Sequence, residues 1–139
     1  MKSPTLTCEK CLLDFQDALE QLKLFVQSGK SKGLDARTEA QLVRSFELAH
    51  ELALKTITEF FRQQKHQGTF SGSRDITVEA FNEDLIDDGK GWMDMIILRI
   101  KYNPIYPESA QNELVSRILK DFISLFENFN RKMTARLEN

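Results

Sequence analysis

The chain has 139 residues, a formal net charge of −2 and 29% charged residues. That length suits one domain burying roughly two thirds of its unfolded surface, and the balanced charge leaves no overall basic field of the kind that general nucleic-acid binding uses. No apolar run approaches the roughly 18 residues of a membrane span, and Met1-Lys2-Ser3-Pro4-Thr5 lacks an apolar signal core, so a cytoplasmic, non-membrane protein is expected.

A first helix is marked by Cys8, Leu12, Phe15, Leu19, Leu22 and Val26, whose steps of three and four trace one face. Ser28 to Gly33 reads as a polar connection, and Asp35 as the N-cap of a long second helix reaching about Gln67. Leu42, Phe46, Ala49, Ala53, Thr56 and Phe60 form its apolar stripe, with Leu48 and Leu52 widening it toward a second neighbour. Gly68 to Gly72 breaks the pattern. A short helix with Ile76, Ala80 and Phe81 follows to about Leu85, with Ser73 as its candidate cap. Asp87 or Asp88 caps the next, which carries Trp92, Met95, Ile96 and Arg99 until Asn103-Pro104 ends it.

Pro107 suits the first turn of a last helix. Leu114, Ile118, Phe122, Leu125, Phe129 and Met133 recur along it at helical spacing, with Val115, Leu119 and Phe126 alongside. No alternating strand pattern competes. The expected fold is all-α: residues 1–139 form one domain, an antiparallel up-and-down four-helix bundle with an additional short helix packed across an end or side, and a core from about 8 to 133.

Most chemical motifs fail on their own terms. Cys8 and Cys11 have Cys-x-x-Cys spacing, but a structural zinc needs further ligands and a redox motif should follow a strand; both thiols read as packing. Gly29-Lys30-Ser31 resembles the end of a phosphate-binding loop, yet the first glycine of that loop would fall at Leu24, inside a helix. Glu47-x-x-His50 has di-iron spacing, but Gln63-x-x-His66 supplies glutamine where the second carboxylate belongs. His50 then reads as a packed or partly exposed side chain with a local hydrogen bond. No metal and no cofactor is expected.

Two stretches carry more. Along the second helix, Phe46, Glu47, Glu51, Leu52, Ala53, Lys55 and Thr56 stand in fixed register, and Glu47, Glu51 and Lys55 make a polar ridge at four-residue steps. That ridge is either a solvated face or a groove meeting a ligand or partner. Downstream, Trp92-Met93-Asp94-Met95 is followed by Arg99-Ile100-Lys101-Tyr102-Asn103-Pro104-Ile105-Tyr106.

Together these stretches resemble the nucleotidyltransferase substrate-binding family, a branch of the all-helical HEPN superfamily with toxin–antitoxin-like members. In that family the second stretch normally reads Arg-Asn, three variable residues, His, one residue, Tyr. Arg99 and Tyr106 are kept; Ile100 replaces the Asn and Pro104 the His. Ser45 and Leu54 replace the family's usual Arg and Trp. The resemblance covers roughly residues 8 to 133.

The resemblance implies a non-catalytic substrate-binding or regulatory partner of a small nucleotidyltransferase, usually homodimeric, with nucleotide reaching it through that partner. It places substrate or partner contacts at Arg99, Tyr106, Glu47, Glu51 and Lys55, and makes Tyr106 the position that some relatives modify with AMP. The alternatives are a ribonuclease toxin and a helical dimeric scaffold without nucleotide chemistry. RNA cleavage through the 2′-hydroxyl needs a group that moves protons, which the resemblance assigns to the His; Pro104 cannot do this. No catalytic residue is therefore assigned. Arg99 retains a guanidinium suited to phosphate or carboxylate, or to an ion pair at an interface.

Overall fold

The structure is a computed structural model that describes residues 7–64 and 70–138. Among these described residues six helices occur: α1 (Cys8–Lys32), α2 (Ala36–Gln63), α3 (Ser73–Asn82), α4 (Gly89–Lys101), α5 (Glu108–Arg117) and α6 (Ile123–Glu138), the last two joined by a π-helical turn at Ile118–Phe122. No strand is present among the described residues.

Contacts between distant residues give the directions. The Cys8 thiol meets the Thr56 carbonyl at 3.5 Å, so the start of α1 lies beside the end of α2. Gln16 bonds Asn130 at 2.8 Å, Arg99 bonds Glu51 at 2.9 Å, and Asn128 bonds Asp87 at 2.8 Å. α1, α2, α4 and the α5–α6 rod therefore alternate up and down as a four-helix bundle, with α3 packed beside α4 and α2.

Local chemistry sets the boundaries. Asp35 caps α2 as expected, and Thr38 completes a capping box by returning a bond to the Asp35 N–H at 2.9 Å. Asp88, not Asp87, caps α4, accepting from the Gly91 N–H at 2.9 Å; Asp87 instead accepts from Asn128 and pairs with Lys132. Pro107 stands at the N-cap of α5, one residue before its first turn.

Three boundaries differ from the sequence expectation. Ser28–Lys32 is not a connection but the last turns of α1, because Gly29 is a packing residue. A Cβ there would lie 3.0 Å from Leu34 Cδ2, and only Gly33, at φ +78°, ends the helix. Ser73 is the first residue of α3 and caps nothing; Gly72 holds the cap position, while Asp75 accepts from the Ser71 N–H and hydroxyl. α3 stops at Asn82, before the buried Leu85, because Asp84 turns the chain at φ 60°. α2 ends at Gln63, and the continuation expected toward Gln67 lies, from residue 65, outside the described residues.

The core is aromatic. Phe15 meets Phe126 and Phe129 edge-on at 5.6 and 5.3 Å, Phe46 stacks on Phe122 at 5.2 Å, and Trp92 packs edge-on to Phe126 and Phe129. Each such buried ring contributes roughly 1.5–3 kcal/mol. The α2 stripe is buried throughout, but Leu48 is 51% exposed and Leu52 only partly covered, so the widening of that stripe stops at Leu52.

In the last rod, Phe126 rather than Leu125 occupies the core position. The residues Leu114, Ile118, Phe122 and Phe126 are four apart, and each step of four overshoots a 3.6-residue turn. The π turn absorbs the excess and keeps all four on one face.

Candidate functional site

Antiparallel packing of α4 on α2 assembles the charged site. On α2, Glu47 and Glu51 are one turn apart and His50 lies between them on the core side. Arg99, in the last turn of α4, reaches across to all three. Its Nε faces Glu47 at 3.6 Å, its Nη1 the Nδ1 of His50 at 3.1 Å, and its Nη2 Glu51 at 2.9 Å. Beside this cluster opens a cleft of about 340 Å³ lined by Glu47, His50, Leu54, Ser73, Ile96, Arg99 and Ile100.

His50 is a floor residue, 1% exposed. Burial, and then the Arg99 charge beside it, lower its pKa from 6.5 to about 3. A neutral imidazole accepting at Nδ1 carries its proton on Nε2. That nitrogen and the Trp92 indole nitrogen are both buried without a hydrogen-bond partner among the described residues. Their neighbours are rings: His50 stacks on Phe46 at 5.9 Å and tilts against Trp92 at 6.1 Å.

The hydrogen bond of His50 is thus tertiary, to another helix, and not the local bond expected of it. His66 lies outside the described residues, and no group of three or more metal-ligating side chains gathers among the described ones. His50 touches Arg99 but lies enclosed in the core. A ring this deeply buried and this reluctant to take a proton is not a proton shuttle near neutral pH.

The expected site residues divide. Arg99, Glu47 and Glu51 come together. Lys55 does not join them: it is exposed, and its charge is felt at Cys11 on α1. Tyr106 lies outside the cleft lining, partly buried in the turn after α4; its N–H bonds the Asn103 carbonyl at 2.9 Å and its own carbonyl accepts from Gln111. Tyr102, which stands in the Arg99 to Tyr106 stretch but is not among the expected site residues, ties the two helices together. Its hydroxyl donates to Glu39 at 3.1 Å, and burial followed by that carboxylate raises its pKa.

Cys8 and Cys11 are free and buried, as packing requires, and burial pushes the Cys8 thiol up to about 12. Gly29-Lys30-Ser31 lies within α1, with the Ser31 hydroxyl donating to the Gln27 carbonyl.

Residues 10–135 match the family described as nucleotidyltransferase substrate binding protein like. The chain belongs to this nucleotidyltransferase substrate-binding family. The match takes in α2 and α4 whole, and with them every residue of the Arg99 cluster. No curated protein matches the chain. No described helix is long and apolar enough to cross a membrane. In this family member Ser45 and Leu54 stand on groove walls. Leu54 lines the Arg99 cleft; Ser45 lines a second groove between α1 and α2, with Phe25, Arg44 and Leu48.

Proposed function

We propose that this protein is the non-catalytic substrate-binding partner of a small nucleotidyltransferase, with the cleft beside Arg99 as its ligand site. The observation that carries this reading is the cluster in which Arg99 meets Glu47, Glu51 and the buried His50, beside a cleft that Arg99, Glu47 and His50 line, on helices that both lie within the family match. The site holds charge, hydrogen-bonding groups and an apolar wall, which are the elements of small-molecule recognition. Its one histidine, His50, is buried and held neutral, which supports binding over ribonuclease chemistry carried by that ring.

A homodimer is part of the same proposal. Most phenylalanines are spent on the core, so the surface that supports self-association comes from apolar residues left exposed away from the cleft: Ile97 on α4, Ile105 just after it, and Val78 and Phe81 on α3.

Affinity capture of the tagged chain from its own cells, with mass spectrometry of bait and partners, tests the assignment. Recovery of a small nucleotidyltransferase is expected. A chain that returns alone sinks the partner assignment and leaves a helical scaffold. The bait also reports on Tyr106: a nucleoside monophosphate increment there would make this tyrosine the acceptor of the transferred group.

A further inference from the structure

Two of the five N–H donors of the Arg99 guanidinium are hydrogen-bonded, Nη1 to His50 at 3.1 Å and Nη2 to Glu51 at 2.9 Å, while Nε faces the Glu47 carboxylate at 3.6 Å. A phosphate approaching this fork would compete with His50 and two carboxylates that already stand against it. Two carboxylates against one guanidinium leave the cluster with one negative charge, since the buried His50 is neutral. Among the described residues the rest of the lining, Leu54, Ser73, Ile96 and Ile100, adds no cation.

Arg44 lies on α2 ahead of Glu47, but it is exposed and lines the neighbouring groove instead. Glu47 stands on the wall shared by both grooves and its side chain is 36% exposed, so its carboxylate remains reachable from the cleft. A volume of about 340 Å³ suits a small organic molecule, and Leu54, Ile96 and Ile100 supply a wall for an apolar body.

We propose that the cleft binds the ammonium head of a small organic amine against Glu47, with the ligand's body on Leu54, Ile96 and Ile100, and that it turns away phosphate groups. This rests on reading the cleft as the substrate site. It assigns the amine-bearing substrate to this protein and leaves the nucleotide to the partner enzyme.

Three probes with one alkyl body and different heads test it: hexylammonium, 1-hexanol and hexyl phosphate. They are titrated into the whole chain while the isoleucine methyl resonances are followed. The Ile96 and Ile100 signals should respond to hexylammonium at about tenfold lower concentration than to hexanol, as expected for one partly screened charge contact, and should not respond to hexyl phosphate. Glu47→Gln should erase the ammonium advantage. In the doubly substituted Glu47→Gln, Glu51→Gln chain, Arg99 is released and the preference should reverse toward hexyl phosphate, a gain that a misfolded variant could not show.

Equal response to all three heads, no response at Ile96 and Ile100, or hexyl phosphate binding to the unsubstituted chain would each overturn the proposal. No nucleotidyltransferase is present in this titration. Failure here leaves capture of the partner standing, and failure of capture leaves the head-group preference standing.

Discussion

Arg99 on α4 donates to Nδ1 of His50 on α2 across 3.1 Å, joining a guanidinium at the cleft mouth to an imidazole in the aromatic core. The bond crosses from charged surface to apolar interior, so the two residues make different and measurable contributions to stability.

His50 makes stability depend on pH in a defined window. Its ordinary pKa of 6.5 falls to about 3 in the folded chain. Below 6.5 the unfolded chain takes up a proton that the native chain refuses, so stability is fully present above that pH and drains away as pH falls toward 3. At pH 5 the loss from this residue is about 2 kcal/mol relative to pH 7.5. Asp35, Asp75 and Asp87, held below the usual carboxylate range by their hydrogen bonds, act only at lower pH. Urea unfolding at the two pH values should show this loss in the natural chain and little of it in His50→Gln; equal losses in both would refute the assignment.

Replacing Arg99 should cost more than a surface ion pair does. Glu51 is largely exposed, and its pairing with Arg99 contributes at most about 1 kcal/mol. Nδ1 of His50, in contrast, becomes a buried acceptor without a donor, a penalty of about 1–3 kcal/mol. Arg99→Ala is therefore expected to destabilise by about 2 kcal/mol, and the same change made on a His50→Phe background by under about 1 kcal/mol. A double-mutant cycle measured by urea unfolding checks the coupling; simple additivity would show that the His50 bond carries nothing.

The π turn fixes which side chains of the last rod reach the core. Phe126→Ala, removing a ring packed on Phe15, Phe46 and Trp92, should cost about 3–5 kcal/mol. Leu125→Ala, at a half-buried position, should cost under about 2 kcal/mol. A continuous α-helical register would exchange the two values, so denaturant midpoints of this pair decide between them.

What the sequence reveals and conceals here follows interaction range. Asp35 is legible as a cap, and the next cap is narrowed to Asp87 or Asp88, because a cap is settled within a few residues; the stripe from Leu42 to Phe60 is legible because one period describes it. Ser28–Lys32 is misread because its composition is polar, whereas Gly29 is there to let Leu34 approach. Leu125 is misread because a constant period cannot foresee a π turn. Glu47, Glu51 and Arg99 are legible as candidates, but their meeting with His50 depends on the register of α2 against α4, which no local pattern records. Lys55 shares the spacing of the ridge without sharing its direction. The signal for Tyr102 was weaker still: a tyrosine at a helix end gains meaning only once Glu39 is seen opposite it.

Tyr102 and Tyr106, four residues apart, should behave differently when their hydroxyls are removed. Tyr102→Phe deletes the 3.1 Å bond to Glu39, which ties the end of α4 to the first turn of α2, and should cost about 1 kcal/mol. Glu39 is left facing the ring, so at equal pH the variant should also show greater hydrogen exchange in the last turn of α4. The Tyr106 hydroxyl makes no hydrogen bond among the described residues, and its segment is held through backbone atoms, so Tyr106→Phe should leave the unfolding midpoint unchanged. That contrast gives Tyr106→Phe its value as a functional variant. A loss of partner capture or of nucleotide labelling in a chain of undiminished stability would report on the phenol itself, whereas the same loss in Tyr102→Phe would have to be separated from a loosened α2–α4 contact beneath the Arg99 cleft.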